Sequence, residues 1–172
     1  TNETEVSLET NYELTKLLID RGYTVTGEYS HEAELIICIG GDGSFLETVH
    51  SCDFPKCPIV GINTGHLGFF QEISPDDFRQ FISDYEKGAY SIQRLSTVSA
   101  EVKTYDGQSN SHLGLNEIVI KGRQSYAVHL YICIDGRQIE KFSGDGILVA
   151  TSAGSTAYNY SLGGSIADPR LS

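Results

Sequence analysis

The sequence predicts an α/β N-terminal domain with a parallel sheet, followed by a mainly antiparallel, β-rich C-terminal domain. Up to about residue 90, short apolar runs lead into glycine-rich loops and then helical segments, the order that produces a parallel sheet. Beyond that point apolar residues recur at every second position, the period of half-buried strands. We therefore expect two domains, residues 1–90 and 91–172, the second incomplete in this chain.

The first predicted element is a helix over residues 7–22, which ends at Arg21-Gly22, a basic last turn followed by a glycine. Its predicted apolar stripe consists of Leu8, Tyr12, Leu17 and Leu18.

The most informative segment reads ELIICIGGDGSFLE, residues 34–47. Its apolar run predicts a buried parallel strand, and Ser44 opens a predicted helix that ends near Ser51. Between them lie Gly40, Gly41, Asp42 and Gly43, here called the first loop, where backbone N–H groups can bind a phosphate. A carboxylate repels a phosphate, so Asp42 needs another role. It could hold a divalent cation, accept a proton from a hydroxyl that is being phosphorylated, or merely cap the helix.

A second strand is predicted over residues 58–62, and it leads into NTGHLGFF, residues 63–70, here called the second loop. His66 is a candidate site residue because it lies in a glycine-rich loop. Ser74-Pro75-Asp76-Asp77 predicts a helix start, with a cap and an N1 proline, for a helix to about Lys87.

The C-terminal half contains four predicted strands: residues 98–105, 113–121, 128–134 (turning at Asp135-Gly136) and 146–151. Asn116-Glu117 interrupts an otherwise apolar strand, either as a plain edge-strand feature or as hydrogen-bonding groups for ribose hydroxyls. Gly144-Asp145-Gly146 is expected to form a hairpin turn. In residues 151–158, Ser155, Thr156 and Tyr158 offer hydroxyls around a glycine, and a helix cap is the expected role of Ser155.

Composition narrows the possible partners. The formal net charge of −11, without a basic stripe, excludes nucleic acid or an anionic membrane as the main partner. No apolar run is long enough for a membrane span.

The four cysteines are scattered along the sequence, which indicates reduced thiols in the cytoplasm. His50, Cys52 and Cys57 fit no common metal-ligand spacing, so we expect no metal site formed by protein side chains. An acidic protein that binds an anionic ligand must rely on backbone amides, helix ends and Mg²⁺.

In their order along the chain, GGDGSFL, NTGHLGFF, NE and GDGILVATSAGSTAY followed by Gly-Gly resemble the NAD kinase family over about residues 34–168. The first loop alone is shared with diacylglycerol- and sphingosine-type kinases and with 6-phosphofructokinases. The second loop and the GDG…GSTAY segment separate this chain from them.

The resemblance implies an active site between the two domains, and transfer of the γ-phosphoryl group of ATP, or of polyphosphate, to the 2′-hydroxyl of the adenosine ribose of NAD. Mg²⁺ would accompany ATP. Asp42 would be the base, and Gly40, Gly41 and Gly43 would let phosphates approach the backbone. The dinucleotide pocket would comprise Asn116, Glu117, Asp145, Ser155, Thr156, Ala157 and Tyr158, with Phe69 or Phe70 as a wall. The family implies a homodimer or homotetramer whose NAD site borrows residues from a neighbouring subunit.

Two departures from the family pattern stand out: Ser152-Ala153 replaces Pro-Thr, and Ser161-Leu162 replaces Ser-Ala. We expect the first to loosen the loop before Gly154. We also expect part of a longer protein to be absent, and the chain alone to be inactive. A non-catalytic dinucleotide-binding domain and a lipid or sugar kinase remain the alternative functions.

Overall fold

The computed structural model describes residues 3–65 and 68–171. The chain divides into two compact units, Thr1–Ile92 and Gln93–Ser172. The first is an α/β unit with parallel strands and the second contains antiparallel strands, so the predicted fold class is confirmed.

Within its described residues, the first unit contains three helices and two strands: α1 (Glu5–Asp20), β1 (Ile36–Gly40), α2 (Asp42–Ser51), β2 (Ile59–Asn63) and α3 (Phe78–Glu86). β1 and β2 pair in parallel with Ile36 opposite Ile59 and Gly40 opposite Asn63. An isolated parallel bridge joins Ile62 to Ile73 and brings the chain after the second loop alongside β2. Both glycine-rich loops therefore leave the same edge of the sheet, because parallel strands share the direction of their carboxyl ends.

The core of the first unit consists of Leu14, Ile39, Ile62, Phe78 and Ile82. The predicted apolar stripe of α1 is only partly correct. Leu17 and Leu18 pack against the core, but Leu8 and Tyr12 are exposed. The buried face near the start of α1 is polar instead, because the Ser7 hydroxyl bonds to the Thr64 hydroxyl in the second loop.

Two helices begin at positions other than those predicted. α2 begins at Asp42, two residues earlier than expected, with Gly41 as its N-cap. α3 begins at Phe78, because the residues from Pro75 to Asp77 form a turn in which the Asp77 N–H donates to the Ser74 carbonyl oxygen at 3.0 Å. Pro75 thus precedes the helix by a full turn instead of occupying its first position.

Up to residue 171, the second unit contains six strands and one short α-helix: β3 (Val98–Lys103), β4 (Ser109–Gly114), β5 (Glu117–Lys121), β6 (Val128–Ile134), β7 (Arg137–Gly144), β8 (Gly146–Ala150) and α4 (Tyr158–Ser161). They form antiparallel pairs β3–β4, β5–β8 and β6–β7. Short 3₁₀ turns cover Arg123–Ser125 and Ala153–Thr156.

Of three predictions for the second unit, one is confirmed and two are wrong. The turn at Asp135-Gly136 is confirmed, with positive φ values of 49° and 75°. The single strand predicted over residues 113–121 is wrong, because the chain leaves β4 at Gly114 and enters β5 at Glu117. The expected hairpin turn at Asp145 is also wrong. β7 pairs with β6 and β8 pairs with β5, so Asp145 carries the chain from one ladder to the other.

In the part of the chain that the structure describes, no helix has the length and apolar character needed to cross a membrane.

Candidate functional site

The first loop lies at the carboxyl end of β1. Gly40 ends the strand with φ of 156°, and Gly41 is extended and leads directly into α2. Gly41 has no side chain that could cap α2, so the N–H groups of the first turn have no side-chain partner there. A Cβ atom built at Gly41 or Gly43 would meet no atom of the described residues within 4 Å. The backbone is therefore accessible to a bulky anion at both glycines, as a phosphate-binding turn requires.

Asp42 contacts the second loop through both of its carboxylate oxygens. Oδ2 accepts a hydrogen bond from the Phe69 N–H at 2.7 Å, and Oδ1 accepts one from the Phe70 N–H at 2.9 Å. These are charge-assisted bonds to backbone donors, which fix the direction of the carboxylate. The helix-capping alternative for Asp42 is wrong, since the N-cap of α2 is Gly41 and Asp42 lies inside the helix.

The approach of the second loop to Asp42 requires a glycine at position 68. A Cβ atom at Gly68 would overlap the Asp42 carboxylate. The two loops are also joined where the Thr64 N–H donates to the Gly40 carbonyl oxygen at 3.0 Å. The sequence predicted a parallel sheet with a glycine-rich loop after each of the two strands. It did not indicate that the Asp42 carboxylate would bind the backbone of residues 69–70.

Two phenylalanines of the second loop lie beside Asp42. The Phe70 ring stacks on the Phe45 ring of α2, with centroids 5.0 Å apart and planes 8° apart. Phe69 meets Phe70 edge to face at 5.6 Å and is partly exposed. Phe70 is thus anchored on α2, whereas Phe69 offers an apolar surface that a ligand could contact. His66, the other candidate in this loop, lies outside the described residues.

In the second unit, Asn116 lies at the break between β4 and β5, next to the end of β8. Its carbonyl oxygen accepts a 2.8 Å hydrogen bond from the Thr151 N–H. Gly154 packs directly on the Asn116 backbone, where any side chain would overlap the Asn116 carbonyl group. Asn116 is therefore held by its backbone, and its side chain remains available for other contacts.

Two side-chain oxygens in this region are buried without a hydrogen-bond partner among the described residues: Asn116 Oδ1 and Glu117 Oε2. Burial raises the pKa of the Glu117 carboxyl group above its usual value. A buried acceptor without a donor costs roughly 1–3 kcal/mol, so such a pair requires donors from outside the described residues, either a ligand or bound water. The edge-strand alternative does not account for this pair of unpaired oxygens.

Thr151 organises the turn after β8, and sequence reasoning did not single it out. Its hydroxyl donates to the Leu115 carbonyl oxygen at 2.7 Å and accepts from the Gly154 N–H at 2.9 Å. The feature that could have identified Thr151 in the sequence is its position at the end of an apolar strand, immediately before a turn rich in small residues. Thr151 thus fixes residues 115–116 against residue 154.

The hydroxyl of Ser155 is committed to the fold. Ser155 is 2% exposed, and its Oγ accepts from the Ala167 N–H at 2.9 Å and lies 2.7 Å from the Ser152 carbonyl oxygen, to which it donates. The expected helix cap is wrong, because the N-cap residues of the 3₁₀ turn and of α4 are Ser152 and Ala157, and Ser155 lies within the 3₁₀ turn. Thr156 is exposed and Tyr158 is 46% exposed, so their hydroxyls are the accessible ones, with Ala157 partly buried between them.

The altered residues before Gly154 are well accommodated. Ala153 is buried, and the Ser152 hydroxyl donates to the Leu171 carbonyl oxygen at 2.5 Å. These contacts supply a restraint that a proline would otherwise provide.

Asp145 lies apart from the other candidates of the second unit. It precedes Gly146, which pairs with Lys121, whereas Glu117 pairs with Ala150 at the other end of the same ladder. At about 3.3 Å per residue, the ladder separates Asp145 from Glu117 by roughly 15 Å. The carboxylate of Asp145 is exposed. Within one copy of this unit, Asp145 and Glu117 therefore cannot contact the same group of a ligand.

Between residues 3–65 and 68–171, no group of three or more His, Cys, Asp or Glu side chains is arranged to hold a metal ion.

Comparison with known proteins identifies the family. The family described as the ATP-NAD kinase N-terminal domain matches residues 1–90, and the ATP-NAD kinase C-terminal domain matches residues 115–172. NAD kinase of Finegoldia magna is 42% identical over 166 residues, which cover 96% of this chain and 61% of that protein. NAD kinase of Staphylococcus saprophyticus is 35% identical over 141 residues, or 80% of this chain and 52% of that protein. The chain thus spans about half to three fifths of the length of these relatives.

Two solved structures have a similar fold. Yeast NADH kinase, complexed with NADH, superposes with a TM-score of 0.82 at 21% identity and covers 99% of this chain and 61% of the yeast chain. An NAD kinase from Archaeoglobus fulgidus, in complex with ATP, gives a TM-score of 0.74 at 26% identity, covering 98% of this chain and 66% of the archaeal chain. The first likeness concerns the fold alone. With both family domains matched in order along its length, the chain belongs to the NAD kinase family.

Proposed function

We propose that the protein to which this chain belongs transfers the γ-phosphoryl group of ATP, or a phosphoryl group of polyphosphate, to the 2′-hydroxyl of the adenosine ribose of NAD, giving NADP. Family membership and the relatives named NAD kinase support this reaction. The observation that carries the proposal is the fixed Asp42 carboxylate beside an uncapped, glycine-rich helix start.

Asp42 acts as the general base in this proposal. An ionised carboxylate has about four lone-pair positions, and the Phe69 and Phe70 N–H groups occupy two of them. The remaining positions can accept the proton of a ribose hydroxyl. The alternative role, direct binding of a divalent cation, has less support, because the described residues provide no second and third ligand beside Asp42.

The first loop binds phosphate groups of the donor through Gly40, Gly41 and Gly43. Phosphoryl transfer depends mainly on positioning and on neutralisation of charge. The open space beside Gly41 and Gly43 lets phosphate oxygens reach the backbone. Mg²⁺ enters as part of the Mg–ATP substrate, held by the phosphates, and contributes neutralising charge.

The second unit binds the dinucleotide. The unpaired Asn116 Oδ1 and Glu117 Oε2 accept hydrogen bonds from ribose hydroxyls, which are donors and would satisfy both buried oxygens. Thr156, Ala157 and Tyr158 line the same pocket, and Ser155 supports it from within the fold. On the first unit, Phe69 offers an exposed apolar ring that a ligand could contact.

The active protein is a homodimer or homotetramer in this proposal. Asp145 is exposed and lies at the far end of the β5–β8 ladder from Glu117, which supports a role in the NAD site of a neighbouring copy. The four free cysteines support a reducing compartment such as the cytoplasm.

A coupled assay tests the proposed function. The full-length protein is incubated with NAD, Mg²⁺ and either ATP or polyphosphate, and NADP is measured with an NADP-specific dehydrogenase. NADP formation with either donor supports the proposal and identifies the donor. Absence of product with both donors, together with NAD binding, indicates the non-catalytic alternative. Phosphorylation of a sphingoid base or diacylglycerol in place of NAD indicates the lipid-kinase alternative.

A further inference from the structure

Gln71 is a buried polar side chain that the proposed reaction does not use. It follows Phe70 at the end of the second loop and is 5% exposed. Its amide nitrogen Nε2 donates a 2.9 Å hydrogen bond to the Gly41 carbonyl oxygen in the first loop. The same nitrogen lies 3.7 Å from Cys38 Sγ, a weaker contact.

The other end of this amide has no partner. Gln71 Oε1 is buried without a hydrogen bond among the described residues, and it occupies the space that a side chain at Gly61 would fill. Exchanging the oxygen and nitrogen positions would place two carbonyl oxygens against each other at Gly41, so Gly41 determines the amide orientation. An apolar residue at position 71 would avoid the unpaired oxygen. The observed contact of Gln71 is therefore the one with Gly41, and its carbonyl oxygen adds no hydrogen bond to the core.

The two loops are linked reciprocally by this contact. The Asp42 side chain accepts from the backbone of residues 69–70, and the Gln71 side chain donates to the backbone immediately before Asp42. The Gly41 carbonyl oxygen also accepts the Phe45 N–H at 3.2 Å, the first hydrogen bond of α2. Gln71 thus contacts the residue from which both Asp42 and the first turn of α2 take their direction.

We propose that Gln71 is a positioning residue: by holding the Gly41 carbonyl it aims the Asp42 carboxylate at the acceptor hydroxyl. The inference rests on the proposed role of Asp42 as the base. Gln71 acts through Gly41 and Asp42, and a displacement of about 1 Å at a reacting group can reduce a rate by as much as 100-fold.

Gln71→Leu and Gln71→Met in the full-length protein test this role. Leucine keeps most of the volume and removes the donor. Methionine keeps the unbranched shape of the side chain and also lacks the donor. We expect kcat for NADP formation to fall at least about 10-fold in both variants, while KM for NAD stays within about twofold. The matched control is Gln80→Leu on α3, an exposed glutamine whose amide donates to Asp84, and it should keep the wild-type kcat.

Amide hydrogen exchange gives a second readout that does not require activity. If Gln71 positions Asp42, its loss weakens the hydrogen bonds from Phe69 and Phe70, so both amides should exchange faster in Gln71→Leu than in Gln80→Leu. Unchanged exchange at both amides, with kcat within twofold of the control, overturns the inference. If the wild-type protein forms no NADP, the proposed function fails, and the exchange data alone then decide whether Gln71 holds Asp42.

Discussion

Replacing Asp42 with Asn tests the proposed role of this side chain as the base, in addition to its observed contact with the second loop. The substitution keeps the size and removes the charge. An amide has only one oxygen, so it can accept from either the Phe69 or the Phe70 N–H, but its NH₂ group must then face the other donor. The variant therefore loses a loop contact and the proposed base together.

The two losses have different sizes and affect different measurements. A hydrogen bond to a charged group contributes about 1.5–3 kcal/mol, and an acidic residue in the first turn of a helix about 0.3–1 kcal/mol. Because Asp42 is only half-buried, we expect the free energy of unfolding to fall by about 1–3 kcal/mol. A missing general base lowers the rate by roughly 10²- to 10⁴-fold, which corresponds to about 3–5 kcal/mol in the activation barrier.

Three measurements on the full-length protein distinguish these effects: urea unfolding, NAD binding by calorimetry, and kcat for NADP formation. We expect Asp42→Asn to remain folded, to bind NAD nearly as well as wild type, and to lose at least 100-fold in kcat. Glu47→Gln is the matched control, because it removes the same charge from an exposed position of α2.

A kcat within twofold of wild type would refute the assignment of Asp42 as the base, even if stability falls as expected. Asp42 would then be an anchor for the second loop, and the family's chemistry would need another proton acceptor. A parallel loss of NAD affinity and stability, with kcat unchanged at saturating NAD, would lead to the same conclusion.

Three further predictions concern the neighbouring structure. Gly68→Ala places a methyl group against the Asp42 carboxylate and should lower kcat more than 10-fold, whereas Gly65→Ala, where a methyl group meets no close contact, should change it less than twofold. Thr151→Val removes the hydrogen bonds of a buried hydroxyl to Leu115, Asn116 and Gly154, and should lower the free energy of unfolding by about 1–3 kcal/mol. Thr151→Ser keeps the hydroxyl and should stay within about 1 kcal/mol of wild type in urea titrations. Burial raises the pKa of Glu117, so the folded state binds this proton more tightly, and stability should fall as the pH rises from 4.5 through the raised pKa. Glu117→Gln removes this dependence and should gain stability relative to wild type between pH 4.5 and 7 in the absence of NAD; an equal pH dependence in both proteins would contradict the prediction.

Local patterns in the sequence were sufficient for several features of this protein. The apolar run before Gly40 predicted β1, and the glycines after it predicted a turn into a helix at the correct edge of a parallel sheet. The order of the motifs was sufficient for the family, which the domain matches confirm. These signals are local because strand burial, glycine turns and helix starts depend on neighbouring residues.

Local patterns failed where distant segments decide the conformation. Residues 113–121 have the composition of one strand, yet the strand is interrupted at Leu115-Asn116. The cause lies some 35 residues later, where the Thr151 hydroxyl donates hydrogen bonds to the carbonyl oxygens of both residues. Asp145 lies in a Gly-Asp-Gly segment, which is typical of a hairpin turn, but the strands before and after it pair with different partners. In both cases tertiary pairing overrides propensity.

By itself, then, the sequence determined the fold class, the family and the presence of a carboxylate in a glycine-rich loop. Only the tertiary structure decided how that carboxylate is held, because its partners, the Phe69 and Phe70 N–H groups, lie 27 and 28 residues away along the chain. The same holds for the unpaired oxygens of Asn116 and Glu117 and for the contact of Gln71 with Gly41. Hydrogen-bond satisfaction depends on which donors the packed chain brings within about 3 Å, and no spacing within a single segment encodes it.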